Sequence, residues 1–88
     1  MHVQNRALEA RVELAQARVM ALLDPQRAED LESGAYTHAY LFGYEASEAS
    51  RSYDSSFIAS EPMLAKAARD GFEDHQTNVA ITAYYARQ

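Results

Sequence analysis

The side chains best suited to chemistry near the end of the chain are Asp70 and Asp74, which are four residues apart, with Glu73 and His75 beside them. A divalent cation could use carboxylate and imidazole groups of this kind. Each helical residue turns by about 100°, however, so His75 leaves the face that the two aspartates share. The glutamate–x–x–histidine pair of di-iron bundles also does not occur in the sequence. We therefore predict no metal site and no cofactor.

Nucleophilic catalysis has no recognisable motif in this sequence. The chain contains no cysteine and only three glycines, which excludes a thiol nucleophile and a glycine-rich phosphate loop. Neither His38 nor His75 has a serine partner at a motif spacing. We interpret His75 as a hydrogen-bonded residue of a helix–helix contact, and we expect no enzymatic activity.

A stripe of tyrosines is the most unusual pattern in the chain. Tyr36, Tyr40 and Tyr44 are four residues apart and so share one face of a helix. Tyrosine can bury its ring in a core or a dimer interface while its hydroxyl reaches water. It is also enriched at the hot spots of protein interfaces. Both interpretations stay open, and the stripe is a candidate partner-binding surface.

Acidic side chains concentrate in the same part of the chain. The net charge is −5, and residues 24–48 contain six acids against the single base Arg27. This balance argues against a basic surface that binds nucleic acid directly. A solvated face is one interpretation, and imitation of nucleic-acid phosphates, which would block the basic groove of a partner, is the other. The candidate partner-binding acids are Glu29, Asp30, Glu32, Glu45 and Glu48.

Helices must position these residues, and the first is predicted over residues 3–23, which lack glycine and proline. Two apolar lines run along it. The first has alternating spacings of four and three, the period of a seam that faces another helix; it comprises Leu8, Val12, Ala15, Val19 and Leu22. The second is mostly alanine, which would let a helix approach closely; it comprises Val3, Ala7, Ala10, Leu14, Ala17 and Ala21.

Prolines and glycines predict the remaining boundaries. Asp24-Pro25 ends the first helix and begins a short one that stops at Ser33-Gly34. A third helix over residues 35–52 carries the tyrosines, and a loop over residues 53–60 inserts apolar side chains into the core. Ser60-Glu61-Pro62 starts a last helix that runs past Gly71. Its packed line is predicted to be Leu64, Ala68, Phe72, His75, Val79, Ala83 and Ala86.

Together these elements predict an all-α fold over residues 1–88, a single domain. We expect a small antiparallel helical bundle in which two long terminal helices enclose a shorter tyrosine-rich helix. A chain of this length buries little surface, so we also expect a homo-oligomer, with a dimer favoured. No segment is apolar enough to enter a membrane, and without cysteine the expected location is the cytoplasm.

The function predicted from these features is that of a small acidic module that binds another protein. Such a module would be an accessory, regulatory or inhibitory protein, and its alanine and arginine content suits a bacterial or bacteriophage accessory protein. A nucleic-acid mimic that inhibits a basic partner is one alternative. The other is a helical protein that holds a small ligand or a metal between its helices, using His75, Tyr84 and Glu73.

Overall fold

The computed structural model describes residues 3–87, with side chains described from residue 6 onward. Within this range the chain forms three helices and no strand. They are α1 (Val3–Met20), α2 (Pro25–Glu48) and α3 (Pro62–Ala86). The predicted all-α helical bundle is confirmed.

Capping residues explain where α2 begins and ends. The Asp24 carboxylate accepts a hydrogen bond from the backbone N–H of Arg27 at 3.2 Å, and Pro25 occupies the first turn. At the other end, Ser50 adopts a left-handed conformation with φ of 54°. The N–H of Arg51 then reaches the carbonyl of Ala46 at 2.8 Å, which satisfies a terminal carbonyl group of the helix.

The predicted break at Ser33-Gly34 is wrong, because α2 continues through it as one helix of 24 residues. The middle helix is therefore longer than α1, which has 18 residues, and not shorter as predicted. One glycine inside a helix costs only about 1 kcal/mol. The neighbouring Ala35 and Ala39 are completely buried, so their burial outweighs that cost. The tyrosine helix also ends at Glu48, four residues before the predicted end.

Ion pairs show that α1 and α2 run in opposite directions. Arg6 Nε lies 2.8 Å from Glu45 Oε1, and His38 Nε2 lies 2.7 Å from Glu13 Oε1. Residue numbers thus rise along α1 as they fall along α2. The short connection over residues 21–24 fits this hairpin.

By contrast, α3 runs parallel to α2. Tyr36 contacts Asp70 and Tyr44 contacts Asn78, so the contacting pairs keep a separation of 34 residues. This arrangement needs the chain to return along the bundle, which residues 49–61 accomplish. Thirteen extended residues reach about 43 Å, more than the roughly 36 Å length of α2. The terminal helices are therefore antiparallel to each other, with α2 between them.

The core is built mainly from alanine. Only four of the twelve buried apolar residues are large, and eight are alanines. The large ones are Leu14, Phe42, Ile58 and Leu64. Ile58 comes from the connection between α2 and α3, and its burial confirms the predicted insertion for this residue, whereas Phe57, also expected in the core, is 38% exposed.

Two glycines allow α2 and α3 to touch backbone to backbone. A Cβ atom on Gly43 would lie 1.7 Å from the carbonyl oxygen of Ala68, and one on Gly71 would lie 2.0 Å from that of Tyr40. No side chain fits into either space. The two helices therefore cross at these glycines.

Residue size suggests that the line of larger side chains on α1 is buried and that its alanine line is exposed. The structure shows the reverse. The alanine line enters the core, with Ala7 and Ala10 completely buried and Leu14 and Ala17 at most 5% exposed; Ala21 is exposed, and the Val3 side chain lies outside the described part. The line of Leu8, Val12, Ala15, Val19 and Leu22 faces outward. We call this line the leucine–valine seam, and within the described residues it does not pack on another helix as expected.

Candidate protein-interaction surfaces

The predicted tyrosine stripe forms a ladder of hydrogen bonds between α2 and α3. Because α2 and α3 are parallel, each tyrosine of α2 contacts the residue 34 positions later on α3. The pairs are Tyr36 Oη to Asp70 Oδ2 at 3.4 Å, Tyr40 Oη to Asp74 Oδ2 at 2.6 Å, and Asn78 Nδ2 to Tyr44 Oη at 3.2 Å. The aspartate carboxylates accept from the hydroxyls, and Asn78 donates to Tyr44.

Ring contacts reinforce this ladder. The rings of Tyr40 and Tyr44 stack with centroids 6.3 Å apart, and Tyr44 meets the edge of His75 at 4.9 Å. His75 Nδ1 lies 2.7 Å from Ser47 Oγ, so His75 is the hydrogen-bonded histidine that the sequence predicts. Tyr36, at 37% exposed, is the most accessible tyrosine of the stripe. The stripe thus joins two helices, and its use as a partner-binding surface stays a prediction.

The hydroxyl of Tyr40 is held in its neutral form. Its hydrogen bond to the Asp74 carboxylate, assisted by partial desolvation, raises the pKa of Tyr40 to about 12. Asp70 is affected in the other direction: hydrogen bonding from Lys66 Nζ at 2.8 Å lowers the pKa of this carboxyl. Both aspartates already have partners on neighbouring side chains.

The predicted acidic residues do not form one surface. Glu45 is partly buried and binds Arg6, whereas the other four are exposed and, in the described part of the chain, form no ion pair. Glu48 lies at the C-terminal end of α2, roughly 24 Å along the helix from Glu32. Glu29 and Glu32 border an open cleft of about 430 Å³ between α1 and α2, whereas Asp30, two residues from Glu32 on the same helix, lies on another face.

Glu61 fixes the start of α3 against α1. It is the N-cap residue of α3, but instead of capping the helix its carboxylate receives two hydrogen bonds from Arg18, at 2.9 and 2.5 Å. Arg11 lies 3.3 Å from the same carboxylate. The Arg18 hydrogen bonds, opposed in part by desolvation, lower the pKa of Glu61. Both arginines on this side of α1 thus have an anionic partner.

On the other side of α1, His38 of α2 lies between two glutamates. Its Nε2 atom is 2.7 Å from Glu13 Oε1, and its Nδ1 atom is 3.2 Å from Glu9 Oε2. The Nδ1 contact has the distance of an ion pair but not the geometry of a hydrogen bond. The Glu13 carboxylate also covers Gly34. This cluster holds the α1–α2 hairpin together.

Across residues 3–87, no group of three or more histidine or acidic side chains has the arrangement that a metal ion needs. His75 is engaged with Ser47 and Tyr44. The third residue of the predicted ligand site, Tyr84, lies far out on α3 and is 60% exposed. None of the described helices combines the length and the apolar character required to span a membrane.

The leucine–valine seam is the first large apolar surface left uncovered. Exposure rises along it, from 43% at Leu8 and 46% at Val12 to 65% at Val19 and 92% at Leu22. Leu22 lies in the turn after α1, and Leu23, 74% exposed, lies beside it in the same turn. Single exposed apolar residues are ordinary on protein surfaces, but a continuous line of them marks an interaction surface.

The second uncovered surface is the end of α3, which projects past the rest of the bundle. Every residue from 76 to 87 is exposed, because α2 ends at Glu48 and, among the described residues, only its last turns lie beside the start of this segment, where Asn78 contacts Tyr44. We call residues 76–86 the α3 arm. Its apolar face carries Ile81, Tyr84 and Tyr85, and the two tyrosine rings meet at right angles with centroids 5.4 Å apart.

Sequence reasoning missed the face of the α3 arm. It assigned Val79, Ala83 and Ala86 to a packed line, and all three are exposed. The signal was nevertheless present, since Ile81, Tyr84 and Tyr85 follow the i, i+3, i+4 spacing of one helix face. No protein-family model matches the chain, and no curated protein or solved structure shows significant similarity to it.

Proposed function

We propose that this protein is a small module that acts by binding another protein directly. The observation that carries the proposal is the distribution of large apolar side chains. Among the described residues eleven are exposed and only four are buried in the apolar core. Burial of apolar surface is the main driving force of protein association, at about 25 cal/mol per Å². Such a surface supports binding better than catalysis.

The α3 arm is the partner-binding site in this proposal. Ile81 is 48% exposed, and Tyr84 and Tyr85 are 60% and 68% exposed on the same face. Anchors spaced i, i+3 and i+4 on one helix are how an amphipathic helix fills an apolar groove. Tyrosine is enriched at interface hot spots and loses few rotamers on docking. The partner is therefore a protein with an apolar groove that accepts a helix.

A pair of matched variants tests this site. Tyr84→Ala with Tyr85→Ala removes the anchors, and Val79→Ala with Thr82→Ala changes another face of the same arm. Each immobilised protein is used to capture partners from its host, and the affinity of the purified partner is then measured by calorimetry. We expect the tyrosine variant to bind about 1,000-fold more weakly, since two hot spots at about 2 kcal/mol each total about 4 kcal/mol.

The control variant should keep its affinity, and circular dichroism should show equal helicity for both. Equal binding by the tyrosine variant and the wild type would contradict the proposed site. The tyrosine stripe is tested separately with Tyr36→Phe, which removes the most exposed hydroxyl and keeps the ring. Loss of binding in this variant would instead favour the stripe.

A second function, imitation of nucleic-acid charge, is supported by the exposed carboxylates of Glu29, Asp30 and Glu32 in the first turns of α2. In the described part of the chain these carboxylates form no ion pair, so their charge is available to a basic groove. Neutralising all three should then weaken partner binding, and added salt should weaken the wild type steeply. Binding that is insensitive to salt would exclude this second function.

A further inference from the structure

We propose that the leucine–valine seam is covered by the same seam of a second copy of this chain, giving a twofold symmetric dimer. This inference goes beyond partner binding, because it concerns α1 and not the α3 arm. The seam on α1 and the arm on α3 are separate surfaces, so each can be mutated without changing the other.

The spacing of the seam indicates that the element packed against it is a helix. Leu8, Val12, Ala15 and Val19 alternate between intervals of four and three residues over about 16 Å of α1, and Leu22 continues the spacing in the turn that follows. This is the repeat by which two helices interdigitate side chains as knobs into holes. Among residues 3–87, no helix of the same chain covers this line. A second copy supplies a helix of the same length and repeat, as a twofold interface requires.

The area of the seam is close to what a dimer needs. From their exposed fractions, the four large seam residues and Leu23 present about 500 Å² of apolar surface in each copy, near the upper limit for the largest patch on a typical monomer. A symmetric pair would bury about 1,000 Å² from these side chains, and stable interfaces begin at about 1,200 Å². Neighbouring residues such as Gln16, which borders the same groove, supply the remainder.

The charges beside the seam permit close approach of two copies. Arg11 and Arg18 on one side bind Glu61, and Glu9 on the other side lies against His38. The seam itself contains no charged residue. Two seams can therefore meet without bringing unpaired carboxylates together, although the whole chain has a net charge of −5.

Sedimentation equilibrium of purified wild type, a seam variant and an arm variant tests the dimer. The seam variant is Val12→Gln with Val19→Gln, and the matched control is Val79→Gln with Ile81→Gln on the α3 arm. All four positions are exposed, so each variant should keep its helicity. We expect the wild type and the arm variant to have twice the chain mass of 9.8 kDa, and the seam variant to have a dissociation constant at least about 100-fold higher.

Thermal unfolding of the wild type provides a measurement that does not depend on a variant's folding. Its Tm should rise with protein concentration, because a dimer is stabilised by mass action. A monomeric wild type with a concentration-independent Tm would overturn the dimer, as would a seam variant that stays dimeric. If the seam variant loses its protein partner while the wild type is monomeric, the seam binds that partner and self-association is refuted. Loss of partner binding in the arm variant alone leaves the dimer supported.

Discussion

Adding one methyl group to Gly43 or Gly71 should destabilise the protein, although alanine is the better helix former. The added Cβ atoms would lie 1.7 Å from the Ala68 carbonyl oxygen and 2.0 Å from the Tyr40 carbonyl oxygen. Ordinary Cβ contacts are longer than 3.0 Å, so α2 and α3 must separate by about 1 Å or more. Backbone atoms cannot rotate away as a side chain can.

The expected magnitude follows from two opposing effects. Overpacking of a core costs typically 1–3 kcal/mol, and contacts this short with backbone place both sites near about 3 kcal/mol. The higher helix propensity of alanine than of glycine offsets about 1 kcal/mol of this cost. The net loss of about 2 kcal/mol in the free energy of unfolding corresponds to a fall in Tm of about 8–16 °C for a domain of this size.

Gly34→Ala is the matched control, because it lies in the same helix as Gly43. Its Cβ would meet only the carboxylate of Glu13, the end of a flexible side chain that can move aside. We expect the stability to stay within about 1 kcal/mol of the wild type. The assay is thermal unfolding followed by circular dichroism at one protein concentration. Wild-type stability for Gly43→Ala and Gly71→Ala, or an equal loss for Gly34→Ala, would refute the close crossing.

Three further predictions test individual contacts. The pKa of Tyr40 is raised to about 12 from the ordinary 10, so the free energy of unfolding should fall as pH rises from 10 to 12. Tyr40→Phe should flatten this part of the pH–stability curve. An unchanged slope would refute the hydrogen bond to Asp74. The lowered pKa of Glu61 adds stability that is present above pH 4.5 and is lost as acid protonates the carboxylate and releases Arg18. Glu61→Gln should therefore be less stable than the wild type at pH 7 and approach it in acid, and a gap independent of pH would contradict this. Ile58→Ala should cost about 2–4 kcal/mol in urea unfolding because Ile58 is 2% exposed, whereas Phe57→Ala, at 38% exposed, should cost clearly less.

Local sequence signals predicted where α2 and α3 begin, but not the number of helices or where α1 and α2 end. The absence of glycine and proline before Asp24 and the prolines at 25 and 62 indicated where helices run and begin, and the structure confirms these features. The break predicted at Ser33-Gly34 was wrong because tertiary contacts override a local turn signal. There the burial of Ala35 and Ala39 favours a continuous helix over the turn.

The choice of buried face on α1 could not be read from periodicity. Both of its lines have a helical repeat, and hydrophobicity alone favours the line that includes Val12 and Val19. In the structure α2 approaches so closely that small side chains such as Ala7 and Ala10 fill the contact. Larger side chains would hold the helices apart, so helix separation, which is a property of the whole fold, decides which face is buried.

The site was predictable in part. Tyrosines at intervals of four on α2 and the series Asp70, Asp74 and Asn78 at the same intervals on α3 were both visible in the sequence. Their pairing depends on parallel helices, and the direction of α3 is set by the long connection over residues 49–61 and not by a local pattern. The uncovered α3 arm depends likewise on α2 ending at Glu48.

The central claim is that the alanine face of α1 is buried and its leucine–valine face is outside. Because the chain has no cysteine, single cysteines can be introduced at Ala10 and Val12 and their reaction with a thiol reagent timed in native protein diluted below the dissociation constant of the proposed dimer. With Ala10 fully buried and Val12 46% exposed, we predict rapid labelling at position 12 and labelling at position 10 only as the protein unfolds. Rapid labelling at position 10 together with protection at position 12 would contradict the account.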